Sequence, residues 1–176
     1  RYAMYRPGDI DNWAAIETSV GEFDGEDAAR AYFERVFLPQ EDELRKRMCF
    51  IEAEGEKVAT ATAWRFEQDG AFCPALHWVA VRPEWQDRGL GRAVVCRALS
   101  LCAALDPEKP VCLHTQTWSH KAVGIYQQFG FMLALDGEYL GYKNRPQEAL
   151  AVLNGVMRPD RYRVLADTAV HLKDIV

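Results

Sequence analysis

The fold is decided by residues 79–93, which have the sequence VAVRPEWQDRGLGRA. Apolar residues typical of a buried strand lead into a short basic loop that carries Gly89 and Gly91, and an apolar helix follows. The first N–H groups of a helix have no partner within it, and the helix dipole places a partial positive charge beside them. A strand, a glycine-bearing loop and a helix N-terminus in this order are typical of a phosphate-binding site.

Length and composition bound the class of protein. The chain has 176 residues, 49% hydrophobic and 27% charged, which is typical of one globular domain. Its formal net charge of -5 argues against general nucleic-acid binding, which needs a basic face. No apolar run approaches the roughly 20 residues of a membrane span, and no signal-peptide pattern begins the sequence. We therefore expect a cytoplasmic protein that binds neither nucleic acid nor membrane.

The cysteines occur singly among apolar residues, and no pair has the spacing of a zinc or redox motif. They are Cys49, Cys73, Cys96, Cys102 and Cys112. We interpret them as reduced core thiols and expect no metal. The alternative is an acyl-carrying nucleophile at Cys73 or Cys112, which would need a base nearby.

Hydrophobic periodicity predicts the order of the other elements. The predicted strands are residues 2–5, 48–52, 58–66, 76–81, 111–115, 131–135 and 139–142. The predicted helices cover residues 10–17, 28–37, 41–47, 90–105 and 121–128. Strand 76–81 is apolar on both faces and should be central in its sheet. The patterns predict an α/β domain, also described as α+β, with a mixed, mostly antiparallel central sheet flanked by helices.

The last segment, residues 145–176, differs in character from the rest. A helical pattern begins at Pro146, Pro159 interrupts it, and a second apolar stripe follows up to Leu172. This segment is too short to fold alone, so we expect it to pack on the core or on a second subunit, which would make a homodimer. We therefore divide the chain into a domain at 1–144 and a helical C-terminal extension at 145–176.

Two motifs in the predicted elements resemble the GNAT superfamily of N-acetyltransferases. Residues 86–93, QDRGLGRA, resemble the acyl-CoA pyrophosphate loop of that family, and residues 122–131, AVGIYQQFGF, resemble its second signature. Short Gly-x-Gly matches are common by chance, but the two motifs together are specific. The resemblance spans roughly residues 2–143. It implies a GNAT-like fold in which the strand through Val79 and Val81 is splayed from strand 111–115.

The resemblance also implies acetyl-CoA as the acyl donor. Glycines in the loop would let the backbone approach the pyrophosphate, and two arginines would add charge-assisted contacts. The N–H of Val79 would polarise the thioester carbonyl. Ser119 stands where the family often has an asparagine and could instead cap the next helix. The expected cofactor-binding residues are Val79, Val81, Gln86, Asp87, Arg88, Gly89, Leu90, Gly91, Arg92 and Ser119.

Tyr126 and His77 are the catalytic candidates. Tyr126 occupies a position where the family often has a tyrosine, which implies a general acid for the leaving thiolate; helix packing is the alternative. Ala75 stands where the family often has a carboxylate base. His77, predicted to lie on the same side of its strand as Ala75 and Val79, is either that base or a hydrogen-bonded core histidine. Lesser candidates for the base are His114, His120 and Glu84.

In this family, the first two helices and the loop between them line the side of the fold where the acceptor binds. In this sequence that region carries Trp13, Phe23, Tyr32 and Phe33 among acidic residues. The aromatic rings and the negative charge would favour a cationic amine as the acceptor. The alternative is that the acidic residues form a solvated charged face. We therefore predict an enzyme that transfers acetyl from acetyl-CoA to a primary amine of a small molecule by direct attack. The alternatives are a protein or peptide acceptor, and a CoA-binding regulatory module without turnover.

Overall fold

A computed structural model describes residues 1–68, 70–139 and 142–174. The chain divides into two units, Arg1–Leu113 and His114–Val176. The elements of the first unit are β1 (Tyr2–Met4), α1 (Ile10–Ser19), α2 (Glu26–Val36), α3 (Glu41–Arg47), β2 (Met48–Ala53), β3 (Glu56–Gln68), β4 (Ala71–Val81) and α4 (Leu90–Leu105).

The first four strands form one antiparallel sheet in the order β1-β2-β3-β4. A tight turn joins β2 to β3, in which Glu54 and Gly55 have φ angles of 53° and 87°. A two-residue loop with both φ angles positive matches the right-handed twist of the strands that it joins. Helices α1 and α2 pack on this sheet around a buried aromatic core, and the prediction of an α/β fold with a mostly antiparallel sheet flanked by helices is confirmed.

A β-bulge interrupts β4 beside its centre. Thr62 pairs with His77 and Thr60 with Ala80, so one residue of β3 faces Trp78 and Val79 together. Trp78 has φ of 48°, a left-handed conformation that is rare for a bulky residue. Ala80 is buried in the same aromatic core as Trp78, so alternation resumes with Ala80 on that face and Val79 on the other. The prediction that His77 and Val79 share a side is therefore wrong.

The predicted strand at 111–115 is also wrong, because one parallel bridge between Ala75 and Cys112 stands in its place. The N–H of Cys112 donates to Pro74 O at 3.0 Å, and that of Leu76 donates to Cys112 O at 2.9 Å. Toward the N-terminal ends of the two segments, the next bonds of a parallel ladder would need N–H groups from Pro74 and Pro110, which have none. Lys109 Nζ donates to the carbonyl of Phe72 instead, at 3.1 Å. The two prolines thus end the pairing on this side of the bridge.

The second unit contains α5 (His120–Gln128), β5 (Glu138–Tyr139), β6 (Tyr142–Lys143), α6 (Pro146–Val156) and α7 (Pro159–Asp167). Leu153 of α6 and Leu165 of α7 share an apolar cluster with Val123 of α5. Residues 131–135, predicted as a strand of the main sheet, form one bridge to Val170 instead, and β5 and β6 make a separate hairpin. Residues 140–141 of the predicted returning strand and residues 175–176 of the extension lie outside the described residues.

Glu17 is a buried acid inside the first unit. It is 1% exposed on α1, and its Oε1 has no hydrogen-bond partner among the described residues. Burial, with a smaller contribution from the charge of Glu22, raises the pKa of Glu17 well above its ordinary value. The side chain therefore favours its protonated form in the folded protein.

Replacing Glu17 with glutamine is expected to raise the free energy of unfolding at pH 8 and to change it little at pH 4. The folded-state pKa of Glu17 lies above the unfolded value, so its contribution to stability falls as pH rises from the unfolded pKa through the folded pKa. Glutamine has the shape of the protonated acid but does not ionise, so its contribution to stability does not fall with rising pH. Each unit by which the folded-state pKa of Glu17 exceeds the unfolded value corresponds to about 1.4 kcal/mol of unfolding free energy.

Urea unfolding of Glu17→Gln at both pH values measures the effect. Glu34→Gln on exposed α2 surface is the matched control and should stay within about 0.5 kcal/mol of the parent at both. The same stability difference for Glu17→Gln at pH 4 and pH 8 would contradict a protonated buried acid.

Candidate active site

The loop between β4 and α4, together with the first turn of α4, holds most of the predicted cofactor-binding residues. It leaves β4 through a turn in which the N–H of Gln86 donates to Pro83 O, and the side-chain Nε2 of Gln86 donates to Val81 O at 3.0 Å. Asp87 and Gly89 have φ angles of 58° and 79°. Gly89 is the N-cap of α4, and residues 86–89 are exposed, so the first N–H groups of the helix lie beside an exposed turn.

Two arginines surround this helix N-terminus. Arg88 Nη2 donates to Glu84 O at 3.1 Å, and the guanidinium lies 4.7 Å from the ring centroid of Trp85. Arg92 is exposed in the first turn of α4. Within the described ranges, neither Arg88 nor Arg92 forms an ion pair with a carboxylate. Both positive charges therefore remain available to an anion at the helix N-terminus.

The residues of this loop fit a pyrophosphate. A Cβ atom built on Gly89 would meet no atom within 4 Å, so the backbone there is open on the side where a side chain would stand. Unpaired arginines and helix N–H groups are the donors that phosphate oxygens accept from. The chemistry of this donor set matches the pyrophosphate of acetyl-CoA.

His77, on β4, lies against Tyr32 of α2. Tyr32 Oη stands 3.5 Å from His77 Nε2 and 3.1 Å from Trp78 Nε1. The bulge explains how consecutive residues of one strand reach the same hydroxyl, which regular alternation would forbid. Both alternatives for His77 remain, because a hydrogen-bonded and half-buried imidazole can be a core residue or a base.

The predicted aromatic wall is present in the first unit. The ring of Tyr32 stacks on Trp13 with centroids 6.1 Å apart, and Phe23 stacks on Trp78 at 5.1 Å. Trp13 is fully buried, whereas Phe23, Tyr32 and Trp78 are partly exposed. The guanidinium of Arg35 lies 5.6 Å from the ring centroid of Tyr32, so the wall offers the exposed parts of Phe23 and Trp78 at its outer side.

Part of the predicted acidic region is neutralised. Arg30 binds three carboxylates, those of Asp11 at 2.6 Å, Glu26 at 2.6 Å and Asp27 at 3.0 Å. This arrangement is the solvated charged face that was the alternative for these residues. Glu22 and Asp24, nearer the aromatic rings in sequence, make no ion pair within the part of the chain that the structure describes.

Tyr126 and Ser119 belong to the second unit. Tyr126 is 9% exposed on α5, and its ring packs against Phe131 with centroids 5.9 Å apart. Ser119 occupies the N-cap position of α5, as the alternative for it predicts, but its side chain makes no capping hydrogen bond. His114 stacks on Tyr142 at 4.5 Å, and burial lowers its pKa. His120 begins α5, and Glu84 lies exposed in the loop of the first unit.

The thiols of Cys49 and Cys112 lack the properties of a nucleophile. Cys73 Sγ and Cys112 Sγ lie 3.7 Å apart, and burial, with the neighbouring Cys73 as a smaller cause, raises the pKa of Cys112 to about 12. Burial likewise raises the pKa of Cys49 to about 12. Thiols with such values stay protonated at neutral pH. Among the described residues, no group of three His, Cys, Asp or Glu side chains could hold a metal ion.

The sequence did not indicate the part that Tyr32 takes in the candidate site. It was predicted as a wall residue, but its contact with both His77 and Trp78 depends on the bulge. A bulge leaves no mark in the apolar pattern, since Leu76 to Val81 is apolar on both faces apart from His77. Trp78, large and aromatic beside a histidine, was the available signal.

Solved structures share this fold at low sequence identity. Aminoglycoside N-acetyltransferase AAC(6')-Iy in complex with CoA matches with a TM-score of 0.61 and 14% identity, over 82% of this chain and 94% of that one. Naa50 of Arabidopsis thaliana, in complex with the bisubstrate analogue CoA-Ac-MVNAL, matches with a TM-score of 0.59 and 16% identity, over 76% and 83%. A protein of Pyrococcus horikoshii matches with a TM-score of 0.59 and 20% identity over 78% of this chain, which spans only 44% of that protein.

The sequence itself assigns the family. Residues 10–131, more than half of the chain, match the model of the acetyltransferase (GNAT) family. The chain therefore belongs to the GNAT acetyltransferases, and the prediction of an acyl-CoA-dependent acyltransferase is confirmed. A search of curated proteins gives no match. Over the described ranges, no helix is long and apolar enough to cross a membrane; the cytoplasmic location stays a prediction.

Proposed function

We propose that this protein transfers the acetyl group of acetyl-CoA to a primary amine of a small molecule by direct attack of the amine on the thioester. The observation that carries the proposal is the loop before α4. There Arg88 and Arg92 have no carboxylate partner among the described residues, and Gly89 leaves the backbone open. These groups would bind the pyrophosphate and so fix the position of the donor.

The amine half of the proposal rests on the aromatic wall. Partly exposed rings attract a cation, and the carboxylates of Glu22 and Asp24, which make no ion pair among the described residues, add negative charge to the same loop. One solved relative is named for aminoglycosides, and Naa50 was solved with the analogue CoA-Ac-MVNAL. These likenesses show the fold alone, so the wall is the argument for a small cationic acceptor.

Different residues of the chain have different roles in this proposed reaction. Backbone groups of Val79 and Val81 hold the pantetheine arm, and the Val79 N–H stabilises the oxyanion; such a donor is worth about 2.7–4 kcal/mol where one has been removed. His77 removes a proton from the amine, and Tyr126 gives one to the leaving thiolate. The other proposed cofactor contacts are Gln86, Asp87, Leu90, Gly91 and Ser119.

A thiol-release assay with acetyl-CoA and a panel of amines tests the proposal. The panel contains polyamines, amino acids, aminoglycosides and peptides, and calorimetry measures CoA binding in parallel. Release with a small amine supports the proposal. Release with peptides alone would assign a peptide acceptor, and CoA binding without release across the panel would assign a regulatory module.

Replacing Tyr126 with phenylalanine is expected to lower turnover at least tenfold while the KM for acetyl-CoA stays within about twofold. The change removes the proton donor but keeps the ring that packs on Phe131. Tyr162→Phe is the matched control, because Tyr162 packs in the apolar cluster of the same unit. Near-normal turnover of Tyr126→Phe would leave helix packing as its only role.

A further inference from the structure

The hydroxyl of Tyr32 lies between two nitrogen atoms of β4, and hydrogen-bond chemistry fixes the direction of the contact with Trp78. The indole Nε1 of Trp78 can only donate, so Tyr32 Oη is the acceptor of the 3.1 Å bond. The hydroxyl of Tyr32 can donate to His77 Nε2, 3.5 Å away, when neutral His77 carries its proton on Nδ1. The relay proposed below requires this tautomer of His77, with a lone pair on Nε2.

Aromatic rings pack around the imidazole of His77. The imidazole packs edge-on against Phe66, with centroids 5.1 Å apart, and beside the rings of Phe37 at 6.2 Å and Trp78 at 5.3 Å. Its Nε2 faces the oxygen of Tyr32. A tyrosine oxygen can accept two hydrogen bonds, so the bond from Trp78 does not use all of its accepting capacity.

We propose that Tyr32 accepts the proton of the acceptor amine and relays its own proton to His77. This proposal rests on the proposed function and assigns the contact with the amine to Tyr32 rather than to His77. The amine nitrogen forms its bond to the thioester carbon while an N–H proton passes to Tyr32 Oη. In the same step the hydroxyl proton of Tyr32 passes to His77 Nε2, so Tyr32 ends neutral and His77 ends as imidazolium.

The bulge gives this relay its geometry. The left-handed conformation of Trp78 places its N–H against the oxygen of Tyr32, where negative charge develops while the two protons move. Conformations of this kind cost free energy and are concentrated at functional sites. Trp78 is thus a positioning residue, and Tyr32 and His77 act as one unit.

A double-mutant cycle on turnover tests the relay. Tyr32→Phe keeps the ring that stacks on Trp13, and His77→Gln removes the final proton acceptor. Each change alone is expected to lower kcat/KM for the amine about 100-fold, and the double variant should lose no more than either single variant, because both interrupt one relay. The acid limb of the pH profile should disappear in both.

The matched control is Tyr5→Phe, which removes a hydroxyl bonded to Glu41 from the same aromatic core. It should leave kcat/KM within about twofold. Activity of Tyr32→Phe within threefold of the parent, or losses that multiply in the double variant, would overturn the relay.

A second measurement does not depend on turnover. The ¹⁵N spectrum of histidine-labelled protein, with His77→Gln to assign the signals, should show His77 protonated on Nδ1 and unprotonated on Nε2. A proton on Nε2 of neutral His77 would overturn the relay even if the enzyme is active. The predicted tautomer without thiol release for any amine would instead count against the proposed function.

Discussion

Replacing Gly89 with valine is expected to lower the affinity for acetyl-CoA at least 100-fold while the protein stays folded. Gly89 has φ of 79°, which costs an L-residue roughly 1–2 kcal/mol, and a β-branched side chain tolerates it least. The loop must leave this conformation, and the N–H groups at the start of α4 then point elsewhere. Losing two charge-assisted hydrogen bonds at about 1.5–3 kcal/mol each gives the expected factor.

Gly55 offers a matched control for the backbone strain. It has φ of 87° in the turn between β2 and β3, and a Cβ atom there would also meet nothing within 4 Å. Gly55→Val should lower the free energy of unfolding about as much as Gly89→Val but leave CoA affinity within twofold. Calorimetric titration with CoA decides: unchanged affinity of Gly89→Val would remove the loop as the pyrophosphate site.

The loop could be predicted because its chemistry is local. Strand end, glycines, arginines and helix start follow one another within residues 79–93, so the sequence alone places them together. The turn at Glu54 and Gly55 was predictable for the same reason, since two residues decide its conformation. Features that one short segment determines are thus open to sequence reasoning.

The contact of Tyr32 with His77 depends on partners 45 residues apart and on a register shift in β3. No local pattern encodes that shift, because it arises when Thr60 and Thr62 pair with residues three apart in β4. The single bridge at Cys112 is only partly predictable from the sequence. Pro74 and Pro110 are visible in the sequence, but their effect appears only once the two segments are known to be neighbours.

Replacing Arg47 with methionine is expected to lower the free energy of unfolding by about 3–5 kcal/mol. Arg47 is 2% exposed, and its guanidinium donates to Asp106 at 2.6 Å, Glu43 at 2.9 Å and Ala63 O at 3.1 Å. It thereby joins the ends of α3 and α4 to β3. Methionine fills much of the space but leaves the carboxylate of Asp106, whose side chain is 9% exposed, without its partner.

Urea unfolding with two further variants separates charge from packing. Arg45→Met removes a half-exposed arginine paired with Glu41 and should cost less than about 1 kcal/mol. Adding Asp106→Asn to Arg47→Met removes the uncompensated charge and should recover part of the loss. An equal loss in the single and double variants would mean that the guanidinium contributes through packing and its bond to Ala63 alone.

The pH dependence of the free energy of unfolding gives a further test of the ionic role of Arg47. Hydrogen bonds from Arg47 first, and then from Lys46, lower the pKa of Glu43 to about 2. A lowered folded-state pKa contributes stability that is present above the unfolded pKa, near 4.5, and is lost as pH falls toward 2. Arg47→Met should therefore differ most from the parent above pH 5 and less at pH 3. A difference that stays constant across this range would contradict an ionic role for Arg47.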